Sequence, residues 1–368
     1  MKPTLAVILS CALWAGADEV VYTGYYFGDN VDNTVATTSF SLVKTLWART
    51  RVLLDVELDQ TTVPPLEEDA ISGASRPARK SKSEFRKNRG QIIVGVEQGL
   101  GDDTRLGANV YFSQEVDYLS QAVTGTLSQD LFKKNLTVTL RAQYTLDSVG
   151  EILINDSLVN RGKETHQASL VLSQSLSPTS TLVGGVDAFR IIGFQSDPYR
   201  KAVIATAVPL VFDTLIERHP DTRFRQAVWV ELTKYVRGID GAFIVNYRYY
   251  WDDWGVNANT ATFKFNKYVT KNWIFSPWYR YYDQSEADFG EYASGGQTFD
   301  ALDYKLQTFG SNTLGAGLTC FLRTFSRNHP TWDFLNNTSV SVEYLRYFND
   351  FGTGFSANVV ESSLKFSF

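Results

Sequence analysis

The chain ends in the stretch Asn358-Val359-Val360-Glu361-Ser362-Ser363-Leu364-Lys365-Phe366-Ser367-Phe368. Counting back from the last residue, one face carries Phe368, Phe366, Leu364, Ser362 and Val360, and the other carries Ser367, Lys365, Ser363 and Glu361. Side chains alternate between the two faces of a β-strand, so this pattern predicts an amphipathic strand with an aromatic end. The fold class therefore depends on whether this strand belongs to a soluble sheet or to a membrane barrel.

The amino terminus has the layout of a cleavable export signal. Lys2 supplies a positive charge, residues 5–14 form an apolar core, and Ala15-Gly16-Ala17 offers a small-residue cleavage site. We therefore expect residues 1–17 to be a cleaved signal peptide and residues 18–368 to form one mature domain. The alternative is a lipoprotein signal with acylation at Cys11. It leaves an apolar core shorter than the roughly 7 to 15 residues that such signals use.

The rest of the chain has no apolar run near the roughly 18 residues that a spanning helix needs. Insertion into a membrane would therefore require a closed β-barrel, the other structure that satisfies its backbone hydrogen bonds in lipid. Aromatic residues make up 14% of the chain, which suits the strands and aromatic girdles of such a barrel. The net charge of −5 does not indicate a nucleic-acid partner. Cys320 is the only cysteine beyond the predicted signal, which excludes an intramolecular disulfide framework.

Segments with one apolar and one polar face recur along the chain at the length of a barrel strand. The candidate strands are 20–27, 34–47, 51–60, 89–100, 104–116, 120–130, 135–146, 163–176, 180–194, 222–236, 241–251, 256–268, 272–283, 301–325, 338–349 and 356–368. A soluble β-sandwich would show the same alternation, but the signal, the terminal Phe368 and the aromatic residues favour a membrane barrel. We predict an all-β fold, a transmembrane antiparallel up-and-down β-barrel of about sixteen strands, with fourteen to eighteen compatible with the pattern.

Connection lengths support this interpretation, because membrane barrels have short periplasmic turns and longer external loops. Short turns are predicted at 48–50, 101–103, 133–135, 177–179, 237–240 and 271–272, and long external connections at 61–88, 147–162, 195–221 and 284–300. Two segments fit less well. Residues 326–337 are long for a periplasmic turn, and residues 301–325, taken as one strand with glycine bulges, are long for a strand.

The aromatic end of the last strand resembles the signal by which Gram-negative outer-membrane barrels are recognised for assembly. Phe368, Phe366 and Leu364 would carry this signal. The resemblance implies an outer-membrane location, with outer-membrane lipid, lipopolysaccharide and the barrel-assembly machinery as partners.

Further segments resemble an uncharacterised family of predicted outer-membrane barrel proteins. They are Asp69-Ala70-Ile71-Ser72-Gly73-Ala74-Ser75, Pro198-Tyr199-Arg200, Glu217-Arg218-His219-Pro220, Tyr247-Arg248-Tyr249-Tyr250-Trp251-Asp252-Asp253-Trp254-Gly255 and Tyr279-Arg280-Tyr281-Tyr282, with the terminal Phe368. The combination is fairly specific and covers most of the mature chain, although the stretch 326–337 departs from the family pattern. Genes of that family often lie beside genes for a flavin transferase and for thioredoxin-like or small lipoproteins, which implies a periplasmic redox partner. The resemblance brings no reaction and no substrate.

Two groups of residues are candidates for function. The lumen and selectivity candidates, on the polar faces of the strands, are Arg105, Arg141, Arg248, Arg280, Glu231 and Glu343. The external-loop candidates are Ser72, Gly73, Ser75, Arg218, His219, Asp252 and Asp253. The basic run from Arg76 to Arg89 is either an anion-collecting site, which could take lipopolysaccharide phosphates, or a solvated loop, the commoner use of charge runs.

Catalysis is not predicted. The available imidazole bases are His166, His219 and His329, and no nucleophile elbow accompanies them. Asp252, Asp253 and His219 could approach one another as metal ligands, but carboxylate pairs at turns more often form the turn itself. We therefore predict no enzyme activity, no cofactor and no metal.

The mixed charges of the lumen fit either a water-filled pore or a barrel cross-braced by internal salt bridges. A barrel of about sixteen strands is wide enough for an aqueous channel. The sequence thus predicts a channel or porin-like transport protein for a small solute. The alternative is a non-conducting barrel that serves as a scaffold for an envelope redox or secretion partner. The oligomeric state is left open.

Overall fold

The structure is a computed structural model that describes residues 18–63, 85–152, 157–196, 201–205, 212–216, 219–288, 303–323, 335–349 and 354–367. These residues form eighteen β-strands and two short 3-10 turns. The strands are β1 (Glu19–Asp29), β2 (Thr34–Trp47), β3 (Thr50–Val63), β4 (Phe85–Gly99), β5 (Thr104–Gln114), β6 (Tyr118–Leu131), β7 (Leu136–Ile152), β8 (Leu158–Ser177), β9 (Ser180–Gly193), β10 (Lys201–Ala205), β11 (Phe212–Ile216), β12 (Thr222–Val236), β13 (Gly241–Asp252), β14 (Asn257–Thr270), β15 (Trp273–Gln284), β16 (Phe309–Phe321), β17 (Ser339–Asn349) and β18 (Ser356–Ser367). The 3-10 turns are Arg237–Ile239 and Tyr304–Leu306.

Sixteen of these strands close into one antiparallel barrel. Each pairs with its neighbours in chain order, except that β9 pairs directly with β12, and β1 closes the barrel by pairing with β18. β10 and β11 form a separate hairpin in the connection between β9 and β12. The predicted all-β, up-and-down barrel of sixteen strands is confirmed. Among the residues described, no helix has the length and apolarity needed to cross a bilayer.

The alternation in the sequence appears as two different faces of the barrel wall. On β5, Val110 is 53% exposed on the outer face, whereas the inward-facing Ser113 is 2% exposed. Apolar residues such as Val123 and Leu140 continue the outer face around the barrel. The outer surface is therefore an apolar band of the kind that lipid covers in membrane barrels.

The start of β1 and the end of β18 lie at the same end of the barrel, because Glu19 pairs with Ser367. We call it the terminal end, and the opposite end the loop end. The terminal end carries connections 48–49, 100–103, 132–135, 178–179, 237–240, 271–272 and the longer 322–338, and the loop end carries the other eight. All six predicted short turns therefore lie at one end, as the alternation of turns and loops requires.

Two predictions about strand length are wrong. Residues 301–325 do not form one strand, because β16 begins only at Phe309. The side-chain amide of Gln284 donates to the carbonyls of Lys305 and Gln307 at 2.9 and 2.8 Å, which holds the preceding segment in a turn.

Residues 147–162, predicted as a long external loop, mostly continue β7 and β8, and only 153–157 connect the two strands. Their polar composition favours a loop, but opposite charges face each other across the pair. Lys163 Nζ lies 3.1 Å from Asp147, and Arg161 Nε lies 2.7 Å from Glu151. Such cross-strand ion pairs stabilise a sheet.

The first and last strands meet at a small apolar cluster. Val20 and Phe366 are directly opposite each other and both are buried, and Leu364, Phe40 and Leu42 pack against them. Phe366 and Leu364 therefore help to close the barrel. Phe368, the predicted signal peptide 1–17 and the stretch 324–334 lie outside the described residues.

Candidate functional site

The six charged lumen candidates all lie on the inward face of the barrel wall. Arg105, Arg141, Arg248, Arg280, Glu231 and Glu343 each alternate with outward apolar or aromatic side chains. Two of them, Arg141 and Arg280, are exposed although they point inward. The interior of the barrel therefore has room for solvent around these side chains.

Two sets of ion pairs in the lumen join neighbouring strands of the wall. Arg89 on β4 lies 2.9 Å from Glu57 and 2.5 Å from Asp59, both on β3. Arg105 on β5 donates to both carboxylate oxygens of Asp130 on β6, at 2.7 and 3.0 Å. Pairs of this kind brace adjacent strands and do not span the lumen.

Glu343 is positioned by two partners on other strands of the same wall. Trp278 Nε1 donates to it at 3.1 Å, and Lys264 Nζ lies 3.8 Å away. The indole of Trp278 lies against Gly315, where an added Cβ would come within 2.2 Å of the ring. Gly317 similarly leaves room for the Glu343 carboxylate, which lies 3.1 Å from the corresponding Cβ position.

The predicted glycine bulges in this region are therefore wrong. β16 pairs with β15 and β17 in continuous register through both glycines. The two glycines instead make space for side chains that lie against the inner wall.

Asp252 forms the centre of a buried cluster at the loop end. It accepts hydrogen bonds from Arg223 Nε at 2.8 Å, from Tyr250 Oη at 2.5 Å, and from the backbone N–H groups of Trp254 and Val256, each at 3.0 Å. The Arg223 guanidinium also lies over the Trp254 ring, 4.1 Å from its centroid. Oδ1 of Asp252 thus holds the turn between β13 and β14, and Oδ2 binds Arg223 and Tyr250.

The structure places His219 beside this cluster and gives Asp253 a different role. The His219 ring packs edge-on against Trp254 with centroids 5.5 Å apart, and its Nδ1 lies 3.1 Å from the carbonyl oxygen of Gln195. The Asp253 carboxylate accepts the backbone N–H of Phe224 at 2.8 Å on the exposed side. Within the described ranges, no group of three or more His, Cys, Asp or Glu side chains is arranged to hold a metal.

The other predicted imidazoles lie elsewhere. The His166 ring lies beside the exposed ring of Tyr144, with centroids 4.9 Å apart. Tyr144 faces outward, so this pair lies on the outer face of the barrel. His329 falls outside the described residues.

The predicted basic loop is partly strand. Lys87, on β4, lies 2.8 Å from Glu115 and 2.7 Å from Asp117, and Arg89 forms the ion pairs given above. The prediction that the external connection extends to residue 88 is wrong, because β4 begins at Phe85 and already contains Lys87. The prediction that Arg89 lies in a strand is confirmed. Ser72, Gly73, Ser75 and Arg218 lie outside the described residues.

A cavity of about 590 Å³ lies inside the barrel next to the Asp252 cluster. Inward side chains of six consecutive strands, β8, β9 and β12 to β15, line it, and the turn that contains Leu306 closes one side. The charged residues of its lining are Lys163, Arg223, Arg225, Arg248, Lys305 and Asp303. Apolar and aromatic residues of the lining include Phe189, Ile191, Tyr250, Tyr282 and Leu306.

Two arginines of this cavity have no ion pair or hydrogen bond with the residues that the structure describes. Arg225 Nε is buried and has no hydrogen-bond partner there. The Arg248 guanidinium lies near the ring of Tyr250, 5.6 Å from its centroid. Basic residues outnumber acidic ones in the described lining, and these two guanidinium groups form no ion pair with the carboxylates that the structure describes.

Only Arg248 and His219 of this cavity were among the sequence candidates, and Arg223 and Arg225 were missed. A signal for them exists in Arg223-Phe224-Arg225, because these arginines occupy alternate positions on the inward face of a predicted strand. Neither residue alone differs from an ordinary polar-face arginine.

The closed barrel, its apolar outer band and its charged lumen are the fold of an outer-membrane β-barrel. The chain belongs to the family described as "Protein of unknown function (DUF3570)", whose model matches residues 33–329. The resemblance to an uncharacterised family is thereby confirmed. A comparison with curated proteins finds no match.

Solved structures share this fold at low sequence identity. CdiB from Acinetobacter baumannii is 10% identical, with a TM-score of 0.54 over 95% of this chain and 60% of that chain. The outer membrane protein OpdK from Pseudomonas aeruginosa is 10% identical, with a TM-score of 0.46 over 95% of this chain and 98% of that chain. The siderophore receptor PirA from Pseudomonas aeruginosa is 10% identical, with a TM-score of 0.45 over 90% of this chain and 56% of that chain. This chain therefore spans little more than half the length of PirA, and the similarities show the fold alone.

Proposed function

We propose that the protein is a channel of the Gram-negative outer membrane, through which a small solute passes by way of the barrel lumen. The location is supported by the barrel fold, by the predicted export signal at residues 1–17 and by the aromatic carboxyl-terminal strand. The proposal involves no catalysis.

The arrangement of charge in the lumen carries this proposal. A barrel closed by internal salt bridges would bury its inward charges in pairs that cross the interior. Among the residues that the structure describes, the lumen ion pairs given above run along the wall and do not cross the interior, and inward arginines such as Arg141 and Arg280 stay exposed. Sixteen strands enclose enough space for an aqueous channel.

The test is the conductance of refolded residues 18–368 in a planar lipid bilayer. Heat-modifiable mobility on a gel first shows that the barrel is folded. Stable stepwise currents are the expected result, and a reversal potential in a salt gradient then gives the ion selectivity. A folded and inserted barrel that stays silent would contradict the channel. It would favour a scaffold for a periplasmic redox or secretion partner, which a pull-down from a periplasmic extract would test.

A further inference from the structure

We infer that the cavity at the loop end, lined by Arg225, Arg248, Phe189 and Tyr282, binds a small organic carboxylate with an apolar body. This class of molecule is then the solute that the channel selects. The inference rests on the proposed channel function for its transport meaning, but binding at the cavity can be measured independently of conductance.

The positive charge of the cavity lining indicates a negatively charged ligand. The carboxylate of Asp252 is taken up by Arg223, and Asp147 contacts Lys163 at 3.1 Å. Arg248, by contrast, faces the cavity with no described carboxylate in contact. An anion that enters the lumen would therefore meet positive charge that no described carboxylate pairs with, in a concave site whose walls partly shield it from bulk water and so strengthen electrostatic attraction.

Arg225 offers a buried hydrogen-bond donor to a ligand in the cavity. Its Nε is buried and lacks a hydrogen-bond partner among the described residues. A buried donor without an acceptor is costly to a folded protein. A guanidinium group presents its donors in a planar fork that matches the two oxygens of a carboxylate, so a bound carboxylate would satisfy this donor.

The remaining walls of the cavity indicate that the ligand has an apolar part. Phe189, Ile191 and Leu306 contribute apolar surface, and Tyr250 and Tyr282 contribute ring surface. A cavity of about 590 Å³ has the size of a small-molecule site. Inorganic phosphate would use the guanidinium groups but none of the apolar walls. A carboxylate attached to a ring or a short hydrocarbon uses both.

The cavity wall is held in place before a ligand arrives. Asp252 fixes Arg223 and Tyr250 through hydrogen bonds, and Trp254 packs against Arg223. Val256 and Leu306 belong to the same buried apolar cluster as Trp254. Side chains that are already ordered lose little conformational freedom on binding, which favours affinity.

The experiment is calorimetric titration of refolded residues 18–368 in detergent with benzoate, acetate and inorganic phosphate. Benzoate should bind more tightly than acetate, which lacks the ring, and more tightly than phosphate. Arg248→Gln and Arg225→Gln should each weaken benzoate binding by about tenfold, the loss expected for a charge-assisted hydrogen-bonded contact. Arg225→Lys, which keeps the charge but not the fork, should fall between wild type and Arg225→Gln.

Arg190→Gln is the matched control. Arg190 lies between Phe189 and Ile191 on β9 but points to the outer face, where it is exposed. The Arg190→Gln substitution removes one positive charge, as Arg225→Gln does, from the same part of β9 that lines the cavity, but from the outer face. Benzoate binding should therefore not change. Heat-modifiable mobility of each variant verifies folding, and Arg248→Gln tests the site even if Arg225→Gln fails to fold.

Three results would overturn the inference: no benzoate binding to the wild type, equal weakening by Arg190→Gln and Arg248→Gln, or tighter binding of phosphate than of benzoate. Bilayer recordings separate the inference from the channel proposal. Currents that benzoate leaves unchanged would refute the solute class and leave the channel standing. Benzoate binding to a silent barrel would refute the channel and leave the binding site standing.

Discussion

Replacing Asp252 by Asn should destabilise the barrel strongly, although the two side chains have nearly the same shape. The Asp252 side chain is 0% exposed and that of Arg223 is 9% exposed, so their ion pair is shielded from water. Asn can still accept the backbone N–H groups of Trp254 and Val256 through its one oxygen. It cannot supply the negative charge or the second acceptor that faces Arg223 and Tyr250.

The expected loss in the free energy of unfolding can be judged from the state of Arg223 in the variant. Arg223 would remain buried with its charge uncompensated. Loss of one partner from a buried ion pair typically costs about 3 to 5 kcal/mol. A loss of this size is a large part of the total free energy of unfolding of an ordinary domain, which is roughly 5 to 15 kcal/mol.

The assay is urea-dependent folding into lipid vesicles, followed by tryptophan fluorescence. Asp253→Asn is the matched control, because the neighbouring carboxylate is exposed and accepts one backbone N–H, from Phe224 at 2.8 Å. This control should change stability little. The double variant Arg223→Gln/Asp252→Asn should lose less than the sum of the two single variants, because each single variant leaves the other group unpaired. Equal stability of Asp252→Asn and Asp253→Asn would refute the reasoning.

Three further predictions concern the wall, the lumen and assembly. Gly315→Ala should lower stability by roughly 1 to 3 kcal/mol through overpacking, since the new Cβ would lie 2.2 Å from an indole ring. Gly125→Ala, with nothing within 4 Å, should be neutral in the same urea assay. Arg280→Gln should shift the reversal potential in a salt gradient toward cation selectivity and Glu343→Gln toward anion selectivity; shifts in the same direction would contradict a lumen role. Phe368→Ser should impair assembly in cells, and unchanged heat-modifiable mobility with unchanged protease resistance would argue against the assembly signal.

The strands and turns were largely predictable because their signals are local. Alternation with a period of two and short polar turns can be read within ten residues, and both depend on the chain alone. The failures occurred where a distant residue decides the local structure. The polar composition of residues 147–152 predicts a loop. In the folded barrel they form strand, because their polar side chains find partners across the sheet, such as Lys163 for Asp147. Residues 301–308 were read as strand, but Gln284 holds part of them in a turn.

The sequence by itself determined which face each strand residue takes, because side chains alternate along a strand, and the predicted export signal, the terminal Phe368 and the aromatic residues favoured a membrane barrel over a β-sandwich. It also placed Arg248 in the lumen. Only the tertiary structure decided that Arg225 and Arg248 share one cavity with Phe189 and Tyr282. These residues come from different strands, and their heights in the barrel depend on the register between strands. Register is set by pairing around the whole closed sheet, which no single stretch of sequence contains.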